Sequence, residues 1–503
     1  MSNLSPARRW AALTVLVGAI LLLAIDGTVL YLAVPSLTED LSPTANQILW
    51  IGDIYSLAIA GLLVTMGNIA DRVGRKKLLL IGSAAFGLAS ALAAFAPTAE
   101  VLIAARLLLG IAGASLMPST LSLIRNIFTD PVERTRAIAI WSASAAAGIA
   151  LGPLVGGVLL EHFWWGSVFL INIPVMVAML IFGGWLLPES KDPHPGPFDL
   201  VSSALSMLAI IPIVYAIKQV AGGTFGVDSV IALIIGMVSA WLFARRQRRS
   251  TSPMIDLALF RNPSFSGAVL VNFISVFALT GVLFFFSQYL QLARELSPLQ
   301  AGLAELPIAL AGMLAIAAVG VLLRRLGLGR AIAASMIAAA IGLALLSLVE
   351  HGPLFWVIVV LIPLGLGIGI AETLSVDAVV SAVRPEKAGA AASISETAYE
   401  LGVALGIALL GSLMTVLYRW HLVLPAGTDP SLEAAAEDSL GSAVHVLPPN
   451  SASLDAARDA FVTAMQTTTL IASALLALAA FVAWRFIPSD RRGTTPATEP
   501  HGR

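Results

Sequence analysis

The chain has 503 residues, of which 58% are hydrophobic and only 12% charged. That much apolar surface cannot be covered in water, so the chain belongs in a lipid bilayer, and nothing in it marks a nucleic-acid partner. The net charge of −1 hides charges sorted by membrane side, and the lack of cysteine excludes disulfides, thiolate metal centres and thiol catalysis.

Apolar runs of spanning length fall at 11–34, 48–70, 78–96, 101–123, 137–160, 167–187 and 200–220, then at 227–244, 265–290, 300–323, 330–349, 354–376, 389–417 and 461–487. The first is too long for a signal peptide and is read as a retained helix. It carries one carboxylate, Asp26, which costs about 2.5–3.5 kcal/mol at the centre of a membrane helix and so must face protein or water. Fourteen spans put both termini on one side. The Lys/Arg excess makes that side cytoplasmic, with Arg72, Arg75, Lys76 and Lys77 in one inner loop and Arg245, Arg246, Arg248 and Arg249 in another. The outer loops keep only Lys218, Arg294, Arg419 and Arg458.

Between the spans lie a Pro-rich link at 188–199, a cytoplasmic loop at 245–264 and a polar outer loop at 418–460, with a disordered tail at 488–503. The sequence also repeats itself. Gly67, Arg72 and Gly74, after the second span, align with Gly320, Arg325 and Gly327 after the tenth. A repeat of that offset predicts an all-α polytopic protein of two parallel six-helix bundles, 1–187 and 265–487, with two inserted helices at 200–244. In such transporters the substrate site lies near midplane between the halves.

GNIADRVGRKK, Gly67 to Lys77, resembles the loop motif of the major facilitator superfamily. The resemblance implies that Gly67, Asp71, Arg72, Gly74 and Arg75 serve conformational change, with Asp71 set against the start of the thirteenth helix near Ala388 to latch the outward-open state. GIALGPLVGG, 148–157, resembles the antiporter motif of the same superfamily. Gly152 and Gly156 form a small-xxx-small face, with Gly157 beside it, and Pro153 removes a helical donor and kinks the helix. LAIDGTVLYLAVP at 23–35 and LWIGDIYSL at 49–57 resemble fourteen-helix drug–proton antiporters of the QacA, SmvA and LfrA kind. So do the stretches around Pro118, Trp165 to Asn172 and Ser395 to Gly402; Leu109 departs from the pattern, where Gln is frequent.

At about 1.5 Å per residue, Asp26 and Arg106 lie about 13 and 9 Å below the outer ends of their helices and can pair. Asp53 and Glu305 fall at similar depth. Glu396 and Glu400 lie deeper, one turn apart on one face, and Glu372 sits near the inner end of the twelfth span. Arg106 reads as the one clearly buried cation, so most of these acids await a proton or a positive ligand. The expected function is proton-driven export of lipophilic organic cations (quaternary ammoniums, biguanides, dyes) across the bacterial inner membrane. Asp26, Arg106, Asp53 and Glu305 would couple the proton, and Glu396, Glu400, Glu372, Trp50, Tyr55 and Tyr399 would bind substrate, with Trp141, Phe284 and Phe285 as further wall residues. The alternative is a symporter importing a small polar solute. No phosphate loop, nucleophile elbow or metal-ligand spacing is present, so the expected protein is no enzyme. It needs no cofactor or metal beyond the proton gradient and works as a monomer.

Overall fold

Every expected span is a helix in the computed structural model, which describes residues 5–191, 199–221, 226–250, 253, 255–383, 388–425 and 428–489. The first half contains α1 (Pro6–Leu41), α2 (Ala45–Val73), α3 (Arg75–Ala94), α4 (Ala99–Ile127), α5 (Pro131–His162) and α6 (Ser167–Leu186). The inserted pair is α7 (Leu200–Val220) and α8 (Val227–Arg249). The second half contains α9 (Pro263–Ala293), α10 (Pro298–Leu326), α11 (Leu328–Val349), α12 (Leu354–Ser381), α13 (Ala390–His421) and α14 (Ala452–Phe486).

Helix starts are set by polar caps outside the apolar runs. Thr44 and Gln47 form a reciprocal capping box on α2, as Ser297 and Gln300 do on α10, and the Asp130 carboxylate accepts from the Val132 and Glu133 amides. Capping also corrects the outer loop expected over 418–460. Ser451 caps α14 well before residue 461, and α13 runs to His421. The segment between them holds two short helices, Pro430–Asp438 and Leu440–Val446. The tail beyond residue 489 and most of the Pro-rich link lie outside the described residues.

The internal repeat governs packing. In the first half α1 packs on α5, and α4 on α2 and α3; in the second, α9 packs on α13, and α12 on α10 and α11. Between halves the partners are exchanged, α5 lying on α10 and α13 on α2. The repeated loops share a device the sequence did not reveal. Gly74 and Gly327 both have positive φ, 120° and 76°, a conformation that favours glycine. Each aims the next helix start at the segment that follows the last helix of its own half. Arg75 N donates to Ser190 O at 2.8 Å, and Gly329 N to Pro488 O at 3.3 Å.

The halves are closed at the face opposite the termini. There Ala45 N donates to Asp438 Oδ2 (2.9 Å), Gln291 Nε2 to Leu32 O (3.1 Å) and Leu299 N to Glu161 Oε2 (3.4 Å). Backbone meets backbone where α5 crosses α10: a methyl group on Gly157 would stand 2.9 Å from Leu299 Cα and Pro298 O, and Gly302 lies against the Pro153 carbonyl. Towards the termini both helices become exposed, as at Ile140, Leu314 and Ile316. The inserted pair packs on itself and lays α7 on α2, while α8 keeps Ile231, Ile234, Met237 and Trp241 exposed, as lipid-facing side chains are.

Candidate functional site

Ionisable side chains enter the core in tiers. In one tier Arg106 and Asp26 are both buried, with Arg106 Nη1 3.4 Å from Asp26 Oδ2. Gly110, one turn further along α4, lets that helix approach α2, for a methyl there would stand 2.5 Å from Tyr55 O. The close approach sets the Arg106 guanidinium 4.5 Å from the Tyr55 ring centre and lets Nε donate to Ile51 O at 3.2 Å. Asp26 Oδ1 accepts from Asn172 Nδ2 at 2.6 Å, and Asn172 also donates to Ser90 Oγ at 3.1 Å. The pairing follows from depth along the two helices. Asn172 stood in the sequence only as part of a motif, and Ser90 carried no signal.

The second tier corrects two expectations. Lys218, assigned to an outer loop, is buried in the last turn of α7. Its Nζ lies 2.6 Å from Asp53 Oδ2 and 3.6 Å from the Trp50 ring centre. Arg106 is therefore not the single buried cation. The physical reason is that Lys218 lies inside the span 200–220, in the last turn of α7, and α7 packs along α2, which brings Asp53 to it. Trp50 and Tyr55, expected as walls for a substrate, each carry a cation of the chain itself on one face.

The other acids of the core have no cation beside them. Glu305 is buried, accepts from the Ser287 hydroxyl and leaves Oε1 without a partner. Glu400 is buried and accepts from Ser56 across the halves. Glu396 and Glu372 are half-buried. Glu372 lies within electrostatic reach of Glu396, Glu396 of Glu400, and the Tyr399 hydroxyl faces all three. None of these four acids makes an ion pair among the described residues. Above them Tyr31, Phe284 and Phe285 meet edge to face, with centroids 5.6 and 5.1 Å apart, and Gly52 admits the Phe284 ring. Trp141 donates to Thr120 Oγ1 at 3.2 Å and lies half-buried on α5. A further buried acid, Glu350, follows α11; Thr469 donates to its Oε1 at 3.3 Å, and its position just outside an apolar run concealed it.

The motif residues divide. Gly152 and Gly156 pack against Thr28 and Val29 of α1, inside the first half, whereas Pro153 and Gly157 face α10 of the second. Gly67 admits Pro118 of α4. The latch of Asp71 on the thirteenth helix is expected of the outward-open state, and here the halves are closed at the face opposite the termini. Asp71 pairs with Arg75 at 2.9 Å, because the two stand four residues apart across the Gly74 turn and Arg75 is held by Ser190. Residues 384–387, before α13, lie outside the described set.

Residues 16–407 match the Major Facilitator Superfamily. The chain is 48% identical to the multidrug efflux pump LfrA of Mycolicibacterium smegmatis, covering 95% of this chain and 96% of that one. It is 37% identical to the methyl viologen resistance protein SmvA of Salmonella typhimurium, over 96% of this chain and 99% of that one. Among solved structures it is similar in fold to a bacterial homologue of the human lysosomal transporter Spinster, crystallised in an inward-facing, unoccupied conformation. That likeness has a TM-score of 0.67 at 16% identity and covers 95% of this chain and 98% of the other. The nucleoside transporter NupG gives a TM-score of 0.58 at 15% identity, over 95% and 100%. These proteins are transporters, not enzymes. The chain belongs to the Major Facilitator Superfamily, within its fourteen-helix drug–proton antiporter family, and is a multi-pass protein of the bacterial inner membrane.

Proposed function

We propose that this protein exports lipophilic organic cations in exchange for protons, with its termini in the cytoplasm. One observation carries the reading. Glu372, Glu396 and Glu400, on α12 and α13, lie within electrostatic reach of Tyr399 with no ion pair among the described residues, while the buried cations Arg106 and Lys218 are engaged elsewhere. Such a group attracts positive charge, and in a low-dielectric site the attraction is far stronger than in water. The closed opposite face and the half-buried Glu396 and Glu372 suit loading from the cytoplasmic side. SmvA's role in methyl viologen resistance extends the proposed range to planar aromatic dications, which several acids can serve at once.

Proton and cation then compete for the same negative charge, and the competition is the coupling. Asp26 is the proposed proton carrier. Arg106 and Asn172 both contact its carboxylate, and Arg106 also reaches Ile51 O and the Tyr55 ring. The test is ethidium accumulation in cells with wild type, D26N or no protein, with and without a protonophore. Wild type should hold dye low until the gradient collapses, and D26N at normal expression should match the empty cells. Full efflux by D26N removes Asp26 from the coupling, and efflux indifferent to the protonophore removes proton exchange itself.

A further inference from the structure

The inserted pair sends Lys218 into the core, and its surroundings are unusual for an anchor. Both Lys218 and Asp53 side chains are fully buried, and the ammonium sits on the Trp50 ring face. A carboxylate and an indole face around one ammonium are the recognition elements for an alkylammonium ion. Neither Asp53 oxygen nor Lys218 Nζ completes a hydrogen bond, so the contact is an ion pair and the carboxylate keeps acceptor capacity that Lys218 leaves unused. Anchoring does not require the pair. The Thr65 and Ser203 hydroxyls meet, Ser206 Oγ donates to Gly61 O at 3.3 Å, and Met207 fills the space over Gly61. Burying two charges is an expensive way to add to those contacts. The distribution of charge gives it a purpose: Arg106 offsets Asp26, Lys218 offsets Asp53, and Glu305, Glu372, Glu396 and Glu400 make no ion pair among the described residues.

We propose that Trp50 and Asp53 form an alkylammonium-binding site whose resident ligand is the Lys218 side chain, and that this tethered ligand prevents a cargo cation from being held at Asp53. The second half of that statement rests on the export reading; the site itself does not. Its probe is n-propylammonium, the part of the side chain that truncation to alanine removes. Full-length K218A in lipid nanodiscs should bind one equivalent saturably and gain thermal midpoint with it, whereas wild type and D53N/K218A should do neither. Equal binding by wild type and K218A, or undiminished binding by D53N/K218A, overturns the site even if export is sound. Should K218A not survive extraction, K218M fills the slot without the charge. Ethidium should then bind about tenfold more tightly than to wild type, a shift of about 1.4 kcal/mol, and D53N/K218M should return to the wild-type value. An unchanged dissociation constant in K218M overturns the tethered ligand.

Discussion

Gly157→Ala places a methyl group 2.9 Å from Leu299 Cα and Pro298 O, and Gly302→Ala drives one into the Pro153 carbonyl. Both obstacles are backbone of the opposing half and cannot swing aside as a side chain would. The strain is relieved by parting α5 from α10, which opens the face opposite the termini. Overpacking a tight contact costs about 1–3 kcal/mol, and here the cost falls on the closed arrangement alone. A penalty of about 2 kcal/mol shifts the balance towards opening by about 30-fold. Gly152→Ala is the control, since its methyl meets Thr28 of α1 within one half. It should lower the melting midpoint without favouring either arrangement. Because the chain has no cysteine, a single Ala304→Cys substitution, at a buried position on α10, gives a clean reporter. Its alkylation by an impermeant maleimide added at the opposite face should accelerate about 30-fold with G157A or G302A, in proportion to the open fraction, and not with G152A. Labelling unchanged in both, with midpoints lowered as in G152A, would refute the division between crossing glycines and packing glycines.

Alanine at Gly74 or Gly327 must adopt a positive φ, which costs about 1–2 kcal/mol by itself. At Gly74 the methyl meets the Glu189 carboxylate, a movable side-chain end, but at Gly327 it meets the Ser489 backbone, so G327A should melt clearly below G74A; equal midpoints would contradict the docking described for the two loops. Glu350, the residue after α11, has its carboxyl pushed up to about 8 by burial, with the Thr469 hydroxyl opposing the shift. The unfolded chain ionises near 4.5 while the folded one stays neutral, so this group's contribution is full below that value and is lost as pH rises towards 8. Midpoints in detergent should therefore fall across that window in wild type, and E350Q should flatten the fall; an unaltered slope would show that Glu350 is not the titrating group.

The helices and the two-half plan were legible because a bilayer enforces long apolar runs and because the Gly67–Lys77 loop recurs at Gly320–Arg330. Depth along two helices was enough to bring Asp26 to Arg106. Three things were not legible. Lys218 lies at the polar end of an apolar run, where hydropathy cannot distinguish a loop lysine from one turned inward; only the lie of α7 along α2 decides it. Asn172 and Ser90 complete the Asp26 shell from helices whose relative rotation no periodicity reports. The partners of the repeated loops, Ser190 and Pro488, sit in non-helical segments without a pattern of their own. The antiporter motif read as one unit, yet adjacent glycines, Gly156 and Gly157, face different helices, since successive residues on a helix point about 100° apart.

The exchange of partners between α5 with α10 and α13 with α2 has a mechanical corollary. Each half contributes one helix to each seam, so neither seam can part without moving the body that also forms the other.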